Sequence, residues 1–156
     1  MQNILLIGVG NPYRMDDGVG VLFIEFCKKH IQDHPDIQNM LKIDLFTRYQ
    51  LTIDEIEPVL HFEKIFIIDA TKDMQVEHFC SERVKPAITG NFTTHLLSPS
   101  ELLLFVNQLF GRYPEMDVIS IRGYQWDYGE GLSAHTEINL SLAFEYFKNI
   151  IGLKSF

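Results

Sequence analysis

Apolar residues come in short bursts along this chain, and their spacing changes from one burst to the next. Ile4-Leu5-Leu6-Ile7 is an unbroken run, too short for a helix and bounded by polar and glycine-rich sequence, which predicts a buried strand. From Val19 to His30 the apolar positions Val19, Leu22, Phe23 and Phe26 take helical spacing. Leu41 to Phe46 reads as a second strand. Thr52 to Leu60 opens on a capping-type residue with acidic early turns and predicts a short helix. Lys64 to Ala70, KIFIIDA, is apolar almost throughout to Ile68, as a parallel strand covered on both faces requires.

Val76 to Val84 alternates less cleanly and predicts an antiparallel or edge strand. Ser98 to Phe110 begins Ser-Pro-Ser-Glu, a cap followed by proline at the first helical position, and predicts a helix. Asp117 to Ile121 is a further strand. Ser133 to Ile151 is a long closing helix with Ile138, Leu142, Phe144 and Phe147 as inward candidates. Strands alternating with helices predict an α/β fold, a three-layer sandwich with a mostly parallel central sheet and helices on both faces, as in phosphorylase/hydrolase-like folds. Neither a repeat nor a linker divides the chain, so residues 1–156 are expected to form a single domain.

Composition narrows the partners. A formal net charge of −8 argues against nonspecific nucleic-acid binding and gives no support to an anionic membrane surface. The first apolar run is too short for a secretory core, and no run approaches a membrane span. Cys27 and Cys80 form no CxxC pair and read as reduced, buried thiols, which suits a cytoplasmic protein. A monomer is the favoured state.

The loop leaving the first strand, Gly8 to Gly20, reads GVGNPYRMDDGVG. It is a poor phosphate cradle. A dinucleotide fingerprint wants a small residue where Tyr13 stands, no Gly-Lys-Ser/Thr follows, and Asp16 and Asp17 would repel a pyrophosphate unless a cation intervened. In parallel sheets ligands gather at the carboxyl ends of strands. That rule groups Asp16 and Asp17 with Asp69, which ends the KIFII strand, and with His95, just before the Ser98 helix. Two oxygens and an imidazole nitrogen with open positions suit a borderline cation such as zinc or nickel. Each residue also has a plain reading: Asp16 or Asp17 as a helix cap, Asp69 as a turn cap, His95 as a loop histidine. His30, His34, His61, His78 and His135 read as structural or surface residues, the first two suited to the negative end of a helix. There is no GxSxG elbow and no HExxH helix.

With these residues in place the chain resembles the hydrogenase maturation endopeptidases, which trim the C-terminal extension of nickel-iron hydrogenase large-subunit precursors. The resemblance rests on Gly8-Val9-Gly10-Asn11 with Asp16-Asp17-Gly18, on Ile67-Ile68-Asp69-Ala70, on His95, and on Gly129 to Ser133, GEGLS. Gln50-Leu51-Thr52 is similar to a Gln-Leu-Thr-Pro-Glu element of one branch, with Ile53 and Asp54 replacing Pro-Glu and Tyr49 standing where that branch often has His. The resemblance implies Asp17, Asp69 and His95 as metal ligands. It implies Gly8, Gly10, Asn11, Asp16 and Gln50 as supporting or substrate-binding residues. It further implies nickel delivered by the precursor, with zinc or another divalent ion able to occupy the site in vitro, and the precursor itself as partner. Two other readings stay open: a nucleotide-binding α/β protein, and a metal-sensing chaperone that holds the precursor without cutting it.

Overall fold

A computed structural model of the chain describes residues 1–90 and 96–154. Five strands, β1 (Gln2–Val9), β2 (Leu41–Arg48), β3 (Lys64–Thr71), β4 (Phe79–Arg83) and β5 (Glu115–Arg122), form one sheet in the order β2-β1-β3-β5-β4. Every pairing is parallel except β4 with β5, so the Val76–Val84 segment supplies the expected antiparallel edge strand. The helices are α1 (Val19–Asp33), α2 (Ile37–Met40), α3 (Ile56–Val59), α4 (Pro99–Phe110) and α5 (Ala134–Ile150). None of them is long and apolar enough to cross a membrane among the described residues.

Side chains along a strand alternate between its two faces, so the continuous apolar runs of β1 and β3 feed two cores at once. Ile4, Leu6, Phe66 and Ile68 pack with Phe23 and Ile24 of α1 and Leu140, Ala143 and Phe147 of α5. Leu5, Ile7, Ile65 and Ile67 pack on the other face with Val59 of α3 and Leu102, Leu103 and Val106 of α4. The expected sandwich with helices on both faces is therefore what forms. Phe23 anchors the first core, its ring meeting Phe144 and Phe147 edge-on at 5.6 and 5.5 Å.

Several elements depart from expectation. Thr52 to Leu60 is not one helix: a 3-10 turn over Ile53–Glu55 runs into α3, and Thr52 and Glu55 form a capping box. The turn of α2 was not anticipated. In α5 Phe144 and Phe147 pack on the core as expected, whereas Ile138 and Leu142 are exposed and Thr136, Asn139, Leu140 and Ala143 are buried in their stead. The cause is polar burial. Asn139 turns inward to donate to the Arg122 carbonyl at 3.0 Å and to meet His78 Nδ1 at 2.8 Å, so a count of apolar residues alone misplaces part of the face.

Chain direction places the site. From β1 the chain goes through α1 to β2 at one edge, then crosses to β3 on the opposite side of β1. Connections leaving β1 and β3 diverge, which opens a crevice at their carboxyl ends. Gly8 draws α1 close to that point: a Cβ on Gly8 would overlap the carbonyl oxygen of Gly20.

Candidate functional site

The loop after β1 is shaped by its backbone. Gly10 has φ +139°, and a Cβ there would overlap the carbonyl oxygen of Asp17, so only glycine fits. Its N–H donates to the Arg48 carbonyl at 2.9 Å and ties the loop to the end of β2. Asn11 Oδ1 accepts from the Tyr13 N–H at 2.9 Å, an Asx turn that brings the chain round into a 3-10 turn over Met15–Gly18. Met15 sits at φ +48°, unusual for a side chain of its size, and its N–H donates to the Gly129 carbonyl at 2.9 Å.

The two adjacent aspartates go separate ways. Asp16 is fully buried. Its carboxylate accepts from the backbone N–H groups of Tyr124, Gln125 and Ser133 at 2.8, 2.9 and 2.7 Å and from the Ser133 hydroxyl at 2.8 Å. Burial alone would raise its pKa. The three N–H donors and the hydroxyl outweigh burial and hold the carboxyl below its ordinary value. Asp16 does not cap α1, whose N-cap is Gly18; it clamps the loop between β5 and α5 onto the loop after β1.

Asp17 instead lines a cleft of about 370 Å³ together with Asp69, Gln50, Tyr49, Leu51 and Leu97. Asp17 Oδ2 accepts from the Asn11 N–H at 2.8 Å, and Asp69 Oδ1 from the Ala70 N–H at 2.8 Å. Each carboxylate keeps its other oxygen without a hydrogen-bond partner among the described residues. Burial pushes the Asp69 carboxyl up to about 6, the Ala70 N–H partly opposes that, and the negative charge of Asp17 adds to it. Two like charges near each other with unengaged oxygens are what a cation relieves, so this donor set fits a hard or borderline divalent ion.

Of the residues singled out in the sequence, the structure brings Asp17, Asp69, Gly10 and Gln50 to this cleft. Gly8 and Asn11 shape the approach, and Asp16 lies behind it. His95 lies outside the described residues. Leu96, next in the chain, lines the cleft, and the Leu97 N–H donates to the Leu51 carbonyl at 3.0 Å. Among the described residues no group of three or more His, Cys, Asp or Glu side chains is gathered for a metal. Tyr49, Leu51, Leu96, Leu97 and Val118 were not foreseen as cleft residues; apolar side chains in loops after strands were the available signal.

The other histidines stay away from the cleft. His30 stands in the last turn of α1 as expected; burial first, then the charges of His34 and Lys148, lower its pKa, and its ring packs against Phe144.

Asp69 carries a stability consequence. Its folded pKa of about 6 lies above the ordinary 3.8, so the native state holds the proton more tightly and stability falls as pH rises from about 4 through about 6. In metal-free protein Asp69→Asn is expected to be more stable than the parent at pH 8 by on the order of 2 kcal/mol. The difference disappears at pH 4. Urea unfolding at the two pH values measures it.

An open, mostly parallel sheet with two carboxylates at its topological switch point defines an α/β protein with a candidate ligand cleft. No protein-family model matches the chain, and no curated protein matches it. Among solved structures, the hydrogenase maturating endopeptidase HybD from E. coli superposes with a TM-score of 0.70 at 18% identity, covering 97% of this chain and 92% of that one. The solution structure of an endopeptidase from Escherichia coli gives a TM-score of 0.71 at 19% identity, with 97% and 92% covered. The [NiFe] hydrogenase maturation protease HycI from Thermococcus kodakarensis KOD1 gives 0.68 at 17% identity, with 97% and 93% covered. At these identities the likeness establishes the fold.

Proposed function

We propose that this protein is a processing endopeptidase that removes the C-terminal extension of a nickel-iron hydrogenase large-subunit precursor once nickel has been loaded. The observation that carries the reading is the pair Asp17 and Asp69 in one cleft at the divergence of β1 and β3, each with an oxygen that has no hydrogen-bond partner among the described residues. The fold shared with solved hydrogenase maturation proteases supports the choice of substrate. His95 is the proposed third ligand, supported by the position of Leu96 in the cleft wall. Nickel arrives as part of the substrate, and zinc or another divalent ion is a stand-in for it in vitro.

The roles of the chain's own groups follow from their surroundings. The Asn11 N–H orients Asp17 and the Ala70 N–H orients Asp69, so neither carboxylate has to reorganise when the precursor docks. Asp17 and Asp69 would hold the precursor's cation, which would supply Lewis acidity toward the scissile carbonyl or an attacking water. Leu51, Leu97 and Val118 give the cleft an apolar wall beside its two carboxylates.

Cutting is separated from holding by intact mass spectrometry. Sub-stoichiometric protein incubated with nickel-loaded precursor is expected to reduce the precursor mass by that of its extension, with multiple turnovers. A stable complex whose precursor keeps its full mass would replace the protease reading with that of a chaperone.

A further inference from the structure

Glu55 is a carboxylate outside the cleft lining, only 1% exposed, and its partners explain why it is buried. Oε2 accepts from the Thr52 N–H at 2.8 Å and from the Thr52 hydroxyl at 3.1 Å, completing the capping box. Oε1 accepts from Arg48 Nε at 2.6 Å. A capping box needs one acceptor and forms with glutamine as well as with glutamate. The charge and the second oxygen therefore serve Arg48, because a carboxylate is costly to bury unless it is paired.

Arg48 and Thr52 bracket three residues, Tyr49, Gln50 and Leu51, and all three line the cleft beside Asp17 and Asp69. One carboxylate thus holds both ends of that segment. Arg48 is fixed in turn: Nη1 donates to the Thr47 carbonyl at 2.9 Å, and the guanidinium lies over the Phe46 ring at 4.9 Å. Its carbonyl accepts from the Gly10 N–H, in the loop that carries Asp17. At the other end the Leu51 carbonyl accepts from the Leu97 N–H at 3.0 Å, and Thr52 pairs with Leu96 in an antiparallel bridge. The clamped segment joins the two sides of the cleft.

Resting on the processing function proposed above, we infer that Glu55 is a positioning residue for precursor docking. It acts through Tyr49, Gln50 and Leu51, holding that wall of the cleft in the shape the precursor meets. Asp17 and Asp69 are oriented by other groups, the N–H of Asn11 and the N–H of Ala70, so loss of the clamp leaves both carboxylates in place. The Glu55 link governs docking and leaves the cutting step to the cleft's own carboxylates.

Glu55→Gln keeps the side chain's shape but has one acceptor oxygen in place of two. With that oxygen on Thr52, its NH2 faces the Arg48 N–H, donor against donor. Initial rates with nickel-loaded precursor are expected to show KM raised about tenfold with kcat little changed, the pattern of lost uniform binding. Arg48→Gln added to Glu55→Gln puts an amide oxygen where Nε stood and is expected to return KM to about the parent value. Arg48→Met breaks the same link from its partly exposed end and is expected to raise KM as Glu55→Gln does, so the test stands if Glu55→Gln does not fold. A role confined to the fold would reduce the amount of active protein, lowering apparent kcat at constant KM. That result in either single variant, or a KM still raised in the double variant, would overturn the inference while leaving processing intact. Failure of the unsubstituted protein to cut the precursor would overturn the processing reading itself, and this role with it.

Discussion

Asp17→Asn and Asp69→Asn are each expected to lower the rate of precursor processing by about 10²–10³-fold or more, the scale on which loss of one preorganised electrostatic group acts. Asparagine keeps the shape of aspartate and removes its charge, so the cleft survives and its attraction for a cation does not. The Asn11 N–H can still bond the Oδ of an asparagine at position 17, and the Ala70 N–H that of one at position 69. Stability should therefore hold for Asp17→Asn and rise at neutral pH for Asp69→Asn, where a raised pKa marks a strained carboxylate. Activity falling while stability stays level or climbs is the signature of a functional charge. Initial rates with nickel-loaded precursor, read beside urea unfolding, separate the two effects.

Asp16 is expected to behave in the opposite manner. Asp16→Ala leaves the N–H groups of Tyr124, Gln125 and Ser133 without their shared acceptor in a closed interior. Removing one partner from a buried charged network costs about 3–5 kcal/mol. For a chain of this size that is a fall in Tm on the order of 10 °C. The pH dependence has a definite sign. The folded carboxyl titrates below its ordinary 3.8, so its stabilising contribution is present above that pH and is lost as pH falls through the depressed folded value. The gap between parent and Asp16→Ala should be full at pH 6 and shrink on acidification below about 4. Thermal unfolding at the two pH values checks both magnitude and sign.

The contrast between these neighbours shows where sequence reading reaches and where it stops. Asp16-Asp17 is one motif in the sequence, and its resemblance to a known family already pointed to the second residue. The physical reason is visible only in the fold: both lie in a 3-10 turn, where successive side chains point about 120° apart, so one carboxylate enters the interior as the other meets the cleft. The partners of Asp16 are more than 100 residues away, and nothing local at Tyr124, Gln125 or Ser133 announces them.

The sheet was legible because β1 and β3 are apolar without interruption, the mark of strands covered on both faces. The register of α5 was only partly so, because Thr136 and Asn139 take inward positions through hydrogen bonds rather than hydrophobicity. Likewise Asp69 could be assigned to the strand-end rim from topology alone. The cleft wall of Tyr49, Leu51, Leu96 and Val118 depends on three separate loops and strand ends meeting, which periodicity does not encode.

The central claim is that Asp17 and Asp69 form a cutting site that responds to nickel in the precursor. Intact-mass kinetics on matched nickel-loaded and nickel-free precursor, with the parent protein and with Asp17→Asn, test it most directly. The expected result is loss of the C-terminal extension from the nickel-loaded precursor by the parent protein alone. Equal cleavage of both precursors, undiminished in Asp17→Asn, would contradict it.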